Sequence, residues 1–259
     1  MARAVRNSKF SLTAEAIIAD YRLAFSSRRA SIIGRAEVLR GNATFGIFGD
    51  GKELAQLAMA KTFRAGDWRA GYYRDQTFMW ATRMSNVREF FAQLYGNADL
   101  EREPASGGRQ MGNHFATRFL DASGSFTRSI DTPNSSADVS NVAGWMPRLV
   151  GLAYASKLYR ASAQLKEAAD GFSVNGNEVA FGTIGDAATS EGLFWESINA
   201  IGVLQVPVAM SVWDDGYGIS VPITQETTKA SISDVLRGFT PDDRPGVDIH
   251  VVRGWDYPG

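Results

Sequence analysis

The chain has no cysteine, which excludes disulfides, thiol catalysis and cysteine-ligated metals. That composition fits a reducing compartment, and a cytoplasmic location is expected. Long apolar runs are also missing. No stretch approaches the roughly twenty residues of a membrane span, so no membrane partner is expected. Charge of one sign is lacking too: 27 basic and 28 acidic residues leave a formal net charge of −1. Without a basic footprint, nucleic acid is not an expected partner. No Gly-x-Gly-x-x-Gly follows an apolar strand, which weakens a Rossmann-type nucleotide-binding reading. There is no internal repeat or low-complexity tract. Histidine occurs only twice, at His114 and His250.

What is present is enough length, 259 residues, to bury a large core in one α/β domain. Within it, Gly185-Asp186-Ala187-Ala188-Thr189-Ser190-Glu191-Gly192 follows an apolar run at 179–184 that reads as a buried strand. Leu193, Phe194, Ser197, Ile198 and Ile201 then recur at helical spacing. A second apolar strand is expected at 206–212, started by Pro207, and leads into Trp213-Asp214-Asp215-Gly216-Tyr217-Gly218-Ile219-Ser220. In a parallel βαβ unit the carboxyl ends of both strands meet where ligands bind. Asp186 and Asp215, about thirty residues apart in sequence, are therefore expected side by side, as hard oxygen donors for a divalent cation bridging to phosphate.

This arrangement resembles the thiamine diphosphate motif, Gly-Asp-Gly followed some twenty-five residues later by Asn-Asn. The resemblance implies that Asp186, Asp215 and the backbone carbonyl of Tyr217 hold magnesium. It also implies that backbone amides near Ala187 and Ala188 face the diphosphate, at a helix expected to be capped by Thr189 or Ser190. Two departures stand out. Ala187 replaces the final Gly, which requires a negative φ. Asp215 replaces a neutral Asn and adds negative charge beside an anionic cofactor. By itself Gly-Asp-Ala reads equally as a strand-end turn with Asp186 as a helix cap; the matched strings on either side of the helix shift the balance.

Tyr72-Tyr73-Arg74-Asp75 and Ser106-Gly107-Gly108-Arg109-Gln110-Met111-Gly112-Asn113-His114-Phe115 extend the similarity. Both resemble signatures of the α subunit, or α portion, of thiamine-dependent 2-oxo acid dehydrogenases, and the second is nearer the branched-chain type. Carried over, Tyr73 and Arg74 bind the diphosphate, a task suited to the planar Arg fork. His114 then lies near the reacting carbon as the catalytic candidate, and backbone around Val142 touches the aminopyrimidine ring. Alone, Tyr73-Arg74 would read as a buried aromatic beside a surface Arg, and His114 as a loop histidine. His250, on an alternating segment at 247–252, reads as a structural strand residue. Asp214 reads as solvent-facing or supporting. Trp213 stands at a cofactor-proximal family position, where a strand-end Trp is more often core. Gly144 and Trp145 replace the Thr and Gln of the family's potassium site, so potassium is not carried over. Gly49-Asp50-Gly51 lacks a preceding strand and reads as a loop into an amphipathic helix at 52–63, near the substrate entrance.

The resemblance implies a fold, an α/β thiamine diphosphate-binding domain with a mostly parallel sheet flanked by helices. It implies an activity, oxidative decarboxylation of a branched-chain 2-oxo acid with acyl transfer to a lipoyl-carrying acyltransferase. It implies a β subunit or fused β portion, which supplies the activating Glu, in an α2β2-like assembly. A pyruvate- or acetoin-type α portion and a non-catalytic assembly domain are the alternatives; Asp215, Ala187, Gly144 and Trp145 favour the latter. Residues 1–13, with Arg3, Arg6 and Lys9 and no acid, read as a flexible leader, and 14–259 as the domain. The family's α portion continues past the point where this chain stops, so a truncated form or a fragment of a longer polypeptide is expected. A helix is expected at 14–40, a surface loop at 98–112 and a long polar loop at 121–140.

Overall fold

A computed structural model describes residues 12–257. The leader expected over 1–13 lies outside the described residues except for Leu12 and Thr13. Thr13 caps the first helix, α1 (Ala14–Leu39), its hydroxyl accepting from the Ala16 N–H at 3.2 Å. Three shorter helices and a strand follow: α2 (Glu53–Ala60), β1 (Trp68–Ala70), α3 (Gln76–Ala81) and α4 (Val87–Leu94). Phe48, Phe78, Met79, Trp80, Phe90 and Leu94 fill the core between α1, α3 and α4.

The polar loop expected at 121–140 contains a short buried strand, β2 (Asn134–Ser135). Next come α5 (Met146–Ala161), α6 (Ala163–Ala168), β3 (Ala180–Gly185), α7 (Gly192–Leu204) and β4 (Val208–Trp213). The sheet order is β2-β1-β3-β4 and every pairing is parallel. This is the α/β architecture expected. A two-stranded ribbon, β5 (Tyr217–Gly218) with β6 (Val221–Pro222), and a last α-helix, α8 (Ile232–Leu236), follow, with short 3-10 turns between and after them.

β3 is buried along its whole length, which explains its continuous apolar sequence. Its alternate residues serve opposite faces. Ala180 and Ile184 join the core under α5 and α7, and at Gly182 an added Cβ would meet Leu149 of α5 at 2.3 Å. Phe181 and Thr183 face the other way, toward Phe63 and Asp75. β4 starts after Pro207, which has no N–H for the ladder but whose carbonyl accepts from Ala180 at 3.0 Å.

The strand expected at 247–252 is not formed. Val247 donates to the Phe239 carbonyl at 2.8 Å, but Val251 and Val252 are 79% and 78% exposed. Alternation gives β tendency only; a strand also needs a backbone partner, and the sheet ends at β4. His250 therefore lies exposed on an unpaired segment.

Candidate functional site

Parallel pairing of β3 with β4 sets the site. Gly185 lies opposite Trp213, so the residues that follow leave the sheet together. Asp186 N–H donates to the Trp213 carbonyl at 3.3 Å, and Asp186 Oδ2 accepts from the Gly216 N–H at 2.9 Å. Asp215 Oδ1 accepts from the Tyr217 N–H at 3.2 Å, while Asp214 accepts from Gly216 at 3.1 Å. Asp186 is buried, and burial pushes its carboxyl up to about 6; the neighbouring Asp215 adds to the rise and the Ala187 and Gly216 N–H groups oppose it.

Ala187 keeps a negative φ in a 3-10 turn, Ala187–Ser190, as its methyl requires. The space for that methyl comes from Gly218, where a Cβ would sit 2.6 Å from the Ala187 Cβ. The expected caps are not formed. Glu191 occupies the position before α7 without a side-chain bond, while the Thr189 hydroxyl donates to the Asp186 carbonyl and Ser190 donates to the Glu226 carbonyl. The 3-10 turn between strand and helix separates these hydroxyls from the α7 amides.

Tyr72, Tyr73 and Arg74 follow β1 and are fixed from behind by a buried ionic network. Arg69, fully buried on β1, donates from Nε to Asp75 at 2.8 Å, from Nη1 to Asp138 at 2.9 Å and from Nη2 to the Tyr72 carbonyl at 3.1 Å. The two carboxylates raise the Arg69 pKa against its burial, and burial raises that of Asp138. Trp145, also fully buried, donates to the Thr183 carbonyl at 2.8 Å and meets Tyr73 edge-on at 6.2 Å. It fills the floor beneath the tyrosines.

These elements enclose a cavity of about 240 Å³. Tyr73, Arg74 and Val142 line one part of it, and Asp186, Ala187, Ala188, Asp215 and Tyr217 another. His114 stands behind this wall. It is buried, stacks on Tyr73 at 6.2 Å, and has Nδ1 3.3 Å from the Gly112 carbonyl and Nε2 3.1 Å from Ser140 Oγ.

Several polar groups of the lining lack partners. Arg74 Nε and Trp213 Nε1 are buried donors with no acceptor, and Glu226 Oε2 is a buried acceptor with no donor. Unmade hydrogen bonds of this kind cost about 1–3 kcal/mol each, so a ligand that satisfies them is favoured. Arg74 forms no ion pair among the described residues, which leaves its guanidinium available to an anion. Also among them, no cluster of three or more His, Cys, Asp or Glu side chains could hold a metal. Asp186, Asp215 and the Tyr217 carbonyl are hard oxygen donors of the kind that would hold magnesium, which needs few protein ligands.

Sequence reasoning missed Arg69, Glu226 and Lys52. Lys52 Nζ donates to Asp215 Oδ2 at 2.8 Å, so the loop after Gly49-Asp50-Gly51 does border the site.

Residues 21–241 match the dehydrogenase E1 component family. The chain is similar to the 2-oxoisovalerate dehydrogenase subunit alpha of Bacillus subtilis (strain 168), 28% identical over 81% of this chain and 53% of that protein. It is 27% identical to the mitochondrial 2-oxoisovalerate dehydrogenase subunit alpha of Caenorhabditis elegans over 72% of this chain and 36% of the relative. With the pyruvate dehydrogenase E1 component subunit alpha of Acholeplasma laidlawii it shares 25% identity over 87% of this chain and 52% of that subunit. The chain thus spans about a third to a half of the length of these relatives. A family match across the βαβ unit, the Tyr-Arg segment and the His114 loop means that this chain belongs to the dehydrogenase E1 component family.

Proposed function

We propose that this chain is the α portion of a 2-oxo acid dehydrogenase, thiamine diphosphate- and magnesium-dependent and of the branched-chain type. In this reading Asp186, Asp215 and the Tyr217 carbonyl hold magnesium. Tyr73, Arg74 and the amides around Ala187 and Ala188 hold the diphosphate, and Val142 borders the aminopyrimidine. Bound thiamine diphosphate supplies the electron sink on which 2-oxo acid decarboxylation depends. His114, tethered between Gly112 and Ser140 behind Tyr73, serves near the substrate, where its imidazole can hold or pass a proton.

The observation that carries the reading is a single cavity lined by the Tyr-Arg pair and by both strand-end aspartates, with the Arg74 and Trp213 donors left unpaired. The departures that favour an assembly-only role find physical accommodation. Gly218 makes room for Ala187, Lys52 pairs with Asp215, and Trp145 is hydrogen-bonded core. Branched-chain rather than pyruvate or acetoin chemistry is favoured by the Gly-Arg-Gln-Met string before His114 and by relatives named for 2-oxoisovalerate. The partners that go with this reading are a β subunit or fused β portion in an α2β2-like assembly, and a lipoyl-carrying acyltransferase. A cytoplasmic location fits the cysteine-free composition.

Calorimetric titration of thiamine diphosphate into the complete protein, assembled with its β portion, tests the reading. Binding should require magnesium and disappear in Asp186→Ala. A folded, assembled protein that binds no cofactor would sink it and promote the assembly-only role. Turnover of branched 2-oxo acids over pyruvate is the expected next result.

A further inference from the structure

Asp215 presents the site with a charge that its proposed role does not need. Asp186, Asp215 and Glu226 line one cavity, the one in which the proposed function would seat diphosphate and magnesium. Against three carboxylates the cavity wall offers one cation, Arg74. With the two charges of magnesium counted the wall is only neutral, so the cofactor's own anionic charge would stand uncompensated unless a further cation stood close by.

Lys52 is that cation. Its Nζ lies 2.8 Å from Asp215 Oδ2, across 163 residues of sequence. The Lys52 side chain is only 9% exposed, against 49% for Asp215, so the lysine stem is packed against the fold while the pair itself meets solvent on the aspartate side.

Its placement is built by the loop before α2. Gly49 packs so closely on the Arg74 carbonyl that a Cβ would come within 2.3 Å of it. Gln56 of α2 donates to the same carbonyl at 2.8 Å. Gly51 N–H donates to Glu53 at 3.0 Å, Arg28 pairs with Glu53 at 2.7 Å, and Arg35 pairs with Asp50 at 2.7 Å. One braced loop thus contacts both the phosphate-binding Arg74 and the departing metal ligand Asp215.

We propose that Lys52 is a cofactor-anchoring residue: its ammonium offsets the extra charge of Asp215 and keeps this site receptive to thiamine diphosphate with magnesium. The Lys52–Asp215 pair then takes the place of the neutral Asn of the motif. This inference rests on the function proposed above.

The test is a double-mutant cycle in the complete, β-assembled protein, read by calorimetric binding of thiamine diphosphate at fixed magnesium. Lys52→Met should weaken binding about tenfold or more in the wild-type background and less than about threefold in an Asp215→Asn background. Lys52→Arg, which keeps the charge, should retain most of the affinity. Thermal unfolding of each variant without cofactor separates lost folding from lost binding: a merely structural pair would lower the melting temperature of cofactor-free Lys52→Met, whereas the anchoring role leaves it nearly unchanged. Equal losses in both backgrounds, or none, would overturn the anchoring role while leaving the proposed function intact. Absence of binding to the wild-type assembly would remove both.

Discussion

At Asp186, burial and a neighbouring carboxylate act in the same direction. Both oppose ionisation and lift the carboxyl from 3.8 to about 6. The native state then holds a proton that the unfolded chain has already released. Stability of the cofactor-free protein should therefore fall as pH rises from about 4 to about 6 and level off above that window. Asp186→Asn should flatten this segment of the profile, as read by urea unfolding across those pH values. Cofactor binding should show the opposite trend under the proposed assignment, in which the Asp186 carboxylate holds magnesium. Its affinity should drop about tenfold per pH unit below the carboxyl's midpoint. A magnesium-dependent affinity unchanged down to pH 5 would separate Asp186 from the metal.

The pair Ala187 and Gly218 supplies a second test at the same scale. A methyl at residue 218 would meet both the Ala187 Cβ at 2.6 Å and the Glu226 carboxylate. Gly218→Ala should cost about 1–3 kcal/mol by overpacking. Adding Ala187→Gly should recover part of it, since one of the two obstacles is gone. Additive losses in denaturant titrations would mean that the two positions do not share this space.

Among the elements, β1 is three residues long yet organises the Tyr73–Arg74 side of the cavity through Arg69. Arg69→Met leaves Asp75 and Asp138 buried without their cation and should destabilise the protein by about 3–5 kcal/mol. Arg69→Lys should also be damaging, because a single ammonium cannot serve three acceptors in the plane of the guanidinium. A loss below about 1 kcal/mol for Arg69→Met in urea unfolding would show that the network is not a support.

Such elements mark what the sequence made legible. β3, α7 and β4 carry strong local patterns, and their observed bounds, like those of α1, lie within a few residues of those expected, although Ile17, Ile18 and Tyr21 of the expected apolar face of α1 are exposed. Tyr73, Arg74, Asp186, Ala187, Ala188, Asp215 and Tyr217 were legible as cavity-lining because they sit in short contiguous motifs just after strands, whereas Glu226 lies outside any such motif. β1 and β2 carried no signal, being only three and two residues long and bearing buried polar side chains in place of an apolar run. Lys52 was invisible for a different reason. Its partner is 163 residues away, and nothing local marks a lysine at the start of a helix as half of a long-range ion pair. The stretch at 247–252 erred the other way, since its alternation promised a strand that has no neighbour to pair with.

For the whole molecule, the site is where separate pieces of the chain converge. β1 brings Tyr73 and Arg74, β3 and β4 bring the aspartates, and the loop before α2 brings Lys52. A ligand that bridges them should therefore tie the helical α1–α4 region to the sheet, and its binding should appear as global stability. At a free cofactor concentration about a hundredfold above the dissociation constant, linkage adds about 2.7 kcal/mol. Thermal unfolding of the assembled protein should accordingly shift up by several degrees with thiamine diphosphate and magnesium together, and little with either alone. Asp186→Ala should lose the shift, and Lys52→Met should need a higher cofactor concentration to reach it. A shift of equal size without magnesium would mean that the diphosphate is held by Arg74 and the backbone amides alone. The paired aspartates would then be a fold feature rather than a metal site.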